Sequence, residues 1–319
     1  MSYNYDPELA ELLEFIPEGN LDLTKPVETR MAFIELINQM NAELDTRGVT
    51  IENRSIDGPA GAPEVPIRIY SPEDLSGTVP AVLHIHGGGF VVGNLDSEMG
   101  ACIGLCRELG VVVVSVDYRL APEDPFPAGL EDCYTTLCWI HDTHTDLSID
   151  PERVAVLGMS AGGGLSAATA LAARDRGGPA ICFQFLGIPE LDDRLVTHSM
   201  DRFHDTPMWN RPNAELSWEA YLGQQYQRGA DDVPYLAAPA RCDDLSDLPP
   251  AYISTMEFDP LRDEGIHYAL QLLKADVTTE LHNFAGTFHG STLFAHAQIS
   301  QRELAEQLTV LRRALDINA

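Results

Sequence analysis

Basic residues are scarce in this chain. Lysine and arginine number 20 against 49 aspartates and glutamates, a formal net charge of −29. Such an imbalance argues against nucleic acid and anionic membrane surfaces as partners. It leaves two readings open, adaptation to a salty environment or an ordinary acidic cytosolic enzyme. Long apolar runs are also missing. None approaches the ~20 residues that a membrane-spanning helix needs. Residues 1–18 carry several carboxylates and lack a basic stretch before an apolar one, so no signal peptide is expected and a cytoplasmic location is. The six cysteines show no Cys-x-x-Cys spacing and no paired Cys/His pattern. They read as reduced, mostly buried thiols, and no metal or other cofactor is expected. No internal repeat or low-complexity segment is found.

What is present is a serine between two glycines. Gly158-Met159-Ser160-Ala161-Gly162 follows the apolar run 154–157 and precedes a small-residue stretch. Glycines on both sides permit a sharp strand-to-helix turn that lifts the serine hydroxyl clear of the sheet. The new helix aims free N–H groups at the same spot. The pentapeptide alone also fits a turn with no chemistry, so it needs a base, an acid and an oxyanion site.

Upstream, residues 80–86 read as a buried strand that runs into Gly87-Gly88-Gly89-Phe90. Bare backbone of this kind can point N–H groups at a developing negative oxygen. The expected donors are Gly88, Gly89 and Ala161. His86 and Gly87 are expected to brace the loop. Downstream, strand 251–255 leads to Asp259, and strand 278–284 leads to a loop 285–290 that holds His289. The order Ser160, Asp259, His289, each at the end of a different strand, is that of a nucleophile, its acid and its base. Asp259 also suits the cap of the helix that follows. Its rivals are Glu257, nearer the strand, and Asp263, inside the helix. The rivals of His289 are His282, within a strand, and His296, expected in a helix.

Strands are expected to begin near residues 49, 65, 80, 111, 153, 180, 251 and 278. Helices are expected over 97–109, 128–142, 163–174, 261–274 and 299–315. The alternation implies a mostly parallel sheet with helices on both faces, with an antiparallel pair at its start. Two regions fall outside this pattern. One is 1–46, helical around 28–44. The other is 191–236, with Phe203, Trp209, Trp218, Tyr221, Tyr226 and Tyr235. Both are read as a helical cap over the site, leaving 47–190 and 237–319 as the catalytic domain. Most of the aromatics are expected to form the cap's own core.

The chain resembles the hormone-sensitive lipase-like esterases, bacterial lipolytic family IV of the α/β-hydrolase superfamily. The resemblance runs from about Pro66 onward. It rests on His86 to Phe90, Asp117-Tyr118-Arg119-Leu120-Ala121-Pro122-Glu123, Pro125-Phe126-Pro127-Ala128, Gly158 to Gly162, Asp259 to Gly265 and His289-Gly290. It implies an eight-stranded α/β-hydrolase fold, Ser160 as nucleophile, Asp259 as acid, His289 as base and Gly88, Gly89 and Ala161 as oxyanion donors. Two positions depart from the family pattern. Met159 stands where Asp, or Thr in another subgroup, is usual, and Ser291 where Phe is usual. Hydrolysis of short- to medium-chain carboxylic esters through an acyl-enzyme is therefore expected, with a small-molecule ester as partner. An amide or arylformamide hydrolase would use the same triad. A non-catalytic binding protein of this fold ranks lower, because Ser160 and His289 are both present. A homodimer is left open, since edge-strand dimers are common in the family.

Overall fold

A computed structural model describes residues 3–15 and 21–317. The expected cap segment 1–46 and the stretch 1–18 are therefore covered only in part. Two helices, α1 (Pro7–Leu12) and α2 (Pro26–Asn41), precede an eight-stranded sheet. Its strands are β1 (Val49–Ile56), β2 (Val65–Pro72), β3 (Val79–Ile85), β4 (Val112–Val116), β5 (Ile149–Met159), β6 (Phe183–Gly187), β7 (Ala251–Phe258) and β8 (Thr279–Phe288). Between and after them lie α3 (Met99–Leu109), α4 (Ala128–Asp142), α5 (Ala161–Asp175), α6 (His198–Arg202), α7 (Arg211–Leu222), α8 (Arg262–Lys274) and α9 (Gln298–Ala314).

The strand order is β1-β2-β4-β3-β5-β6-β7-β8. β2 runs antiparallel to both β1 and β4, and the pairs from β3 and β4 onward are parallel. From β3 the chain turns outward to β4, then crosses back to β5 and proceeds the other way. Ligands of open α/β sheets bind outside the carboxyl ends of strands where the winding reverses. Here that place lies between the ends of β3 and β5, which carry the glycine loop and Ser160.

Burial explains the elements. Every residue of β4 is buried, as suits a strand covered on both faces, whereas edge strand β1 exposes half of its positions. Residues 161–173 of α5 are all buried, so small side chains let this helix lie close to the sheet. One apolar cluster joins the sheet to α4, α5 and α7, and a second joins it to α3 and α9. Trp209, Trp218 and Tyr221 sit in the cluster that holds Leu83 and Ile85 of β3. The insertion thus shares the sheet's core; the expected separate cap core is not seen for these rings. The six cysteines are unpaired, and Cys102, Cys106, Cys133 and Cys242 are buried.

Several expected boundaries move. β5 begins at Ile149 rather than near 153, because Ile149 pairs with Val79 ahead of an irregularity in the ladder. β6 begins at Phe183 rather than near 180. β8 continues to Phe288 rather than ending at 284, because Phe288 pairs with Phe258 beyond a second irregularity. Most of the expected loop before His289 is therefore strand. His296 lies in an exposed turn before α9, not in a helix.

Candidate active site

Ser160 ends β5 and opens α5 with φ 58° and ψ −123°. A non-glycine residue at positive φ is strained, and such strain gathers at functional sites. The turn is tied down on both sides. The Ser160 N–H donates to the Gly187 carbonyl at 2.8 Å, and its carbonyl accepts from Gly164 at 3.0 Å and Glu190 at 3.1 Å. Ser160 Oγ lies 2.9 Å from His289 Nε2. His289 Nδ1 lies 2.7 Å from Asp259 Oδ2. Asp259 is fully buried, and its Oδ1 accepts the Leu261 N–H at 2.9 Å. It thus ties the turn just before α8, but the helix cap is Leu261 rather than the expected Asp259. A carboxylate at Nδ1 keeps the proton there, leaving Nε2 to accept from the serine hydroxyl.

The rivals are engaged elsewhere. Glu257 Oε2 accepts the Gly286 N–H at 2.7 Å. Asp263 pairs with Arg262 and accepts the Ser199 N–H. His282 bonds Glu306 at 2.6 Å and stacks on Phe284.

The glycine loop faces the serine from the end of β3. Gly88 and Gly89 have φ of 118° and 56°, angles that side chains rarely adopt. The Gly88 carbonyl accepts from Val91 and Val92, closing the loop into a tight turn. Among the described residues, the N–H groups of Gly88, Gly89 and Ala161 donate to no protein acceptor. They are free for a ligand oxygen. Neighbours hold the loop. The Gly87 N–H donates to Glu98 Oε1 at 2.8 Å, and Glu98 Oε2 lies 3.1 Å from His84 Nε2. Burial opposes both charges, yet His84 holds Glu98 below the ordinary range, while Cys102 and then Glu98 hold His84 well above it. The His86 ring stacks on Tyr118 at 4.2 Å, and the Tyr118 hydroxyl donates to the His86 carbonyl. Burial pushes His86 down to about 4, so its neutral Nδ1–H donates to the Gly87 carbonyl. His86 and Gly87 both lie within this bracing network.

Trp209 forms a wall of the site. A Cβ on Gly89 would meet its ring at 2.5 Å, and its ring centre lies 5.8 Å from that of His289. Sequence reasoning missed Glu98, Ser217 and Glu190 as neighbours of the site, and no local spacing marks them. Trp209 was visible only as one aromatic among several. Among the described residues no group of His, Cys, Asp and Glu is arranged to hold a metal, and no helix is long and apolar enough to cross a membrane.

Residues 82–293 match the model of a family described as alpha/beta hydrolase fold. The chain belongs to this family. It is 40% identical to carboxylesterase NlhH of Mycobacterium tuberculosis, over 97% of this chain and 96% of that one. It is 32% identical to an arylesterase of Saccharolobus solfataricus, over 97% of both. Among solved structures, a bacterial heroin esterase superposes with a TM-score of 0.95 at 52% identity, covering 98% of each chain. The resemblance to hormone-sensitive lipase-like esterases and the expected α/β-hydrolase fold are borne out. The chain is an enzyme of the serine carboxylesterase class.

Proposed function

We propose that Ser160, His289 and Asp259 carry this activity, with Gly88, Gly89 and Ala161 as the oxyanion hole. The observation behind this reading is the unbroken run Asp259–His289–Ser160, with contacts of 2.7 and 2.9 Å, facing three free N–H groups. His289 takes the Ser160 proton as Oγ attacks the ester carbonyl. Asp259 steadies the imidazolium that forms. The oxyanion rests on the three N–H groups, with the start of α5 adding its positive end. The imidazolium then protonates the departing alcohol. Water, activated by His289, attacks the acyl-Ser160 ester and releases the acid. No cofactor enters these steps.

The substrate we propose is a small ester with a short to medium acyl group. Trp209 against Gly89 narrows the space beside the nucleophile. The names of the relatives, an arylesterase and a heroin esterase, favour compact esters with aromatic alcohols. We read 1–46 and 191–236 as the cap over this site and 47–190 with 237–319 as the catalytic part. A cytoplasmic setting agrees with six unpaired cysteines.

Ser160→Ala, His289→Ala and Asp259→Asn test the assignment with 4-nitrophenyl acetate. Each should lower kcat on the order of 10⁴-fold without unfolding, and double variants should not multiply the loss. Near-wild-type turnover by His289→Ala would overturn the choice of base. In an acyl series kcat/KM should peak at short chains. A continued rise to long chains would overturn the proposed substrate.

A further inference from the structure

Glu190 follows β6 directly behind the nucleophile, and no step above uses it. Its side chain is fully buried. Its Oε1 lies 3.0 Å from Ser217 Oγ on α7, and that same Oγ lies 3.0 Å from the Gly89 carbonyl oxygen. Its Oε2 is buried and has no partner among the described residues. A serine hydroxyl has one proton to give. If Ser217 gives it to Gly89, the contact with Glu190 is a hydrogen bond only when Glu190 supplies a proton of its own. If Glu190 is ionised, it draws the Ser217 proton to itself. The Gly89 carbonyl then loses its donor, and a charged oxygen stays buried and unpaired, which is costly.

The surroundings favour the neutral acid. The ionisable groups that face Glu190 are Asp259 before α8, Glu264 on α8 and Tyr221 on α7. Each of them is acidic. Burial, opposed by the Ser217 contact and reinforced by Asp259, pushes Glu190 up to about 8. The donors then run one way, from the Glu190 carboxyl to Ser217 Oγ and from Ser217 to the Gly89 carbonyl. Glu190 also donates its own N–H to the Ser160 carbonyl, so one residue touches both the nucleophile's turn and the tie to the glycine loop.

We propose that Glu190 is a positioning residue which, as a neutral acid acting through Ser217, holds the glycine loop in the orientation that binds the oxyanion. This rests on the reading of Gly88 and Gly89 as oxyanion donors.

The test uses the full-length enzyme and 4-nitrophenyl acetate. Outright loss of an oxyanion donor costs about 10²- to 10³-fold in kcat, so a donor left in place but poorly held should cost less, roughly 10- to 30-fold. Glu190→Leu and Ser217→Ala should each show that loss with KM little changed. The double variant should be no worse than either single one, because both break the same relay. Glu190→Gln keeps the shape and an N–H donor and should restore most of kcat. The wild type should lose kcat as pH rises through about 8, and Glu190→Gln should remove that fall. Wild-type kcat in Ser217→Ala would overturn the proposal. So would a Glu190→Gln variant as impaired as Glu190→Leu, or one that keeps the wild-type alkaline fall. Should Glu190→Leu fail to fold, Ser217→Ala and Glu190→Gln still decide the matter. The underlying reading fails separately, if Ser160→Ala remains active. If Ser160→Ala is inactive while Ser217→Ala and Glu190→Gln match the wild type in kcat and pH profile, this inference alone falls.

Discussion

Replacing Met159 by Asp should destabilise the enzyme, although Asp is the residue usual at this place in the family. Met159 closes β5 opposite Gly187 of β6. Its thioether lies over Gly187, in the space a side chain there would fill. It packs against the cluster of Ile188, Met256 and Phe284, so its surroundings are apolar. Among the described residues the buried Ser254 hydroxyl on β7 has no partner, and Ser254 pairs with Gly187 from the far side. That is two strand spacings from residue 159, about 9–10 Å, too far for an Asp side chain to reach. Full truncation of a buried methionine costs roughly 2–5 kcal/mol, and Met159 is only partly buried, so about 1–2 kcal/mol of packing is at stake. Leaving a half-buried carboxylate without a partner adds about 1–3 kcal/mol. A total near 3 kcal/mol corresponds to a fall in Tm of about 4–5 °C for a chain of this size. Circular dichroism melts at pH 8 and fixed salt would measure it, with Met159→Leu as the volume-conserving control. The loss should shrink toward pH 5, where the new carboxyl takes up a proton. A Met159→Asp melt within a degree of wild type at pH 8 would refute the reasoning, and would mean that a polar partner reaches this position.

Two further expectations concern charge. Burial pushes Glu190 and Glu303 up to about 8 and raises Glu264 well above the carboxylate range. The folded state therefore keeps protons that the unfolded chain gives up near the ordinary carboxylate pKa of about 4.3, and stability should fall as pH rises from there to about 8. Tm should be higher at pH 6 than at pH 8.5, and Glu303→Gln should flatten the slope; a Tm that climbs over this range would contradict the assignment. The net charge of −29 should make sodium chloride raise Tm by screening repulsion among carboxylates. A flat or falling series would favour the ordinary acidic enzyme over salt adaptation.

The parts of this protein legible in the sequence are those set by short-range constraint. The strand-to-helix turn at Ser160 follows from glycines two residues away on each side, because only small neighbours permit its backbone angles and close packing. The glycine loop after β3 was visible for the same reason, as three successive residues without side chains at a strand end. Apolar runs marked the eight strands, and loop positions at strand ends set Asp259 and His289 apart from their rivals. What only the tertiary structure decided depends on residues far apart in sequence. β2 became antiparallel to β4 as well as β1, since strand order is a matter of which elements pack together. β8 gained four residues from pairing across an irregularity with β7, which no local pattern encodes. Trp209 came to rest on Gly89 rather than in a core of the insertion. Glu98 reached the Gly87 N–H, and Ser217 on α7 came to bridge Glu190 and the Gly89 carbonyl, residues separated from it by 27 and 128 positions. Such polar ties carry no periodicity or spacing of their own. They form because the packed sheet brings buried donors and acceptors face to face, where each must find a partner.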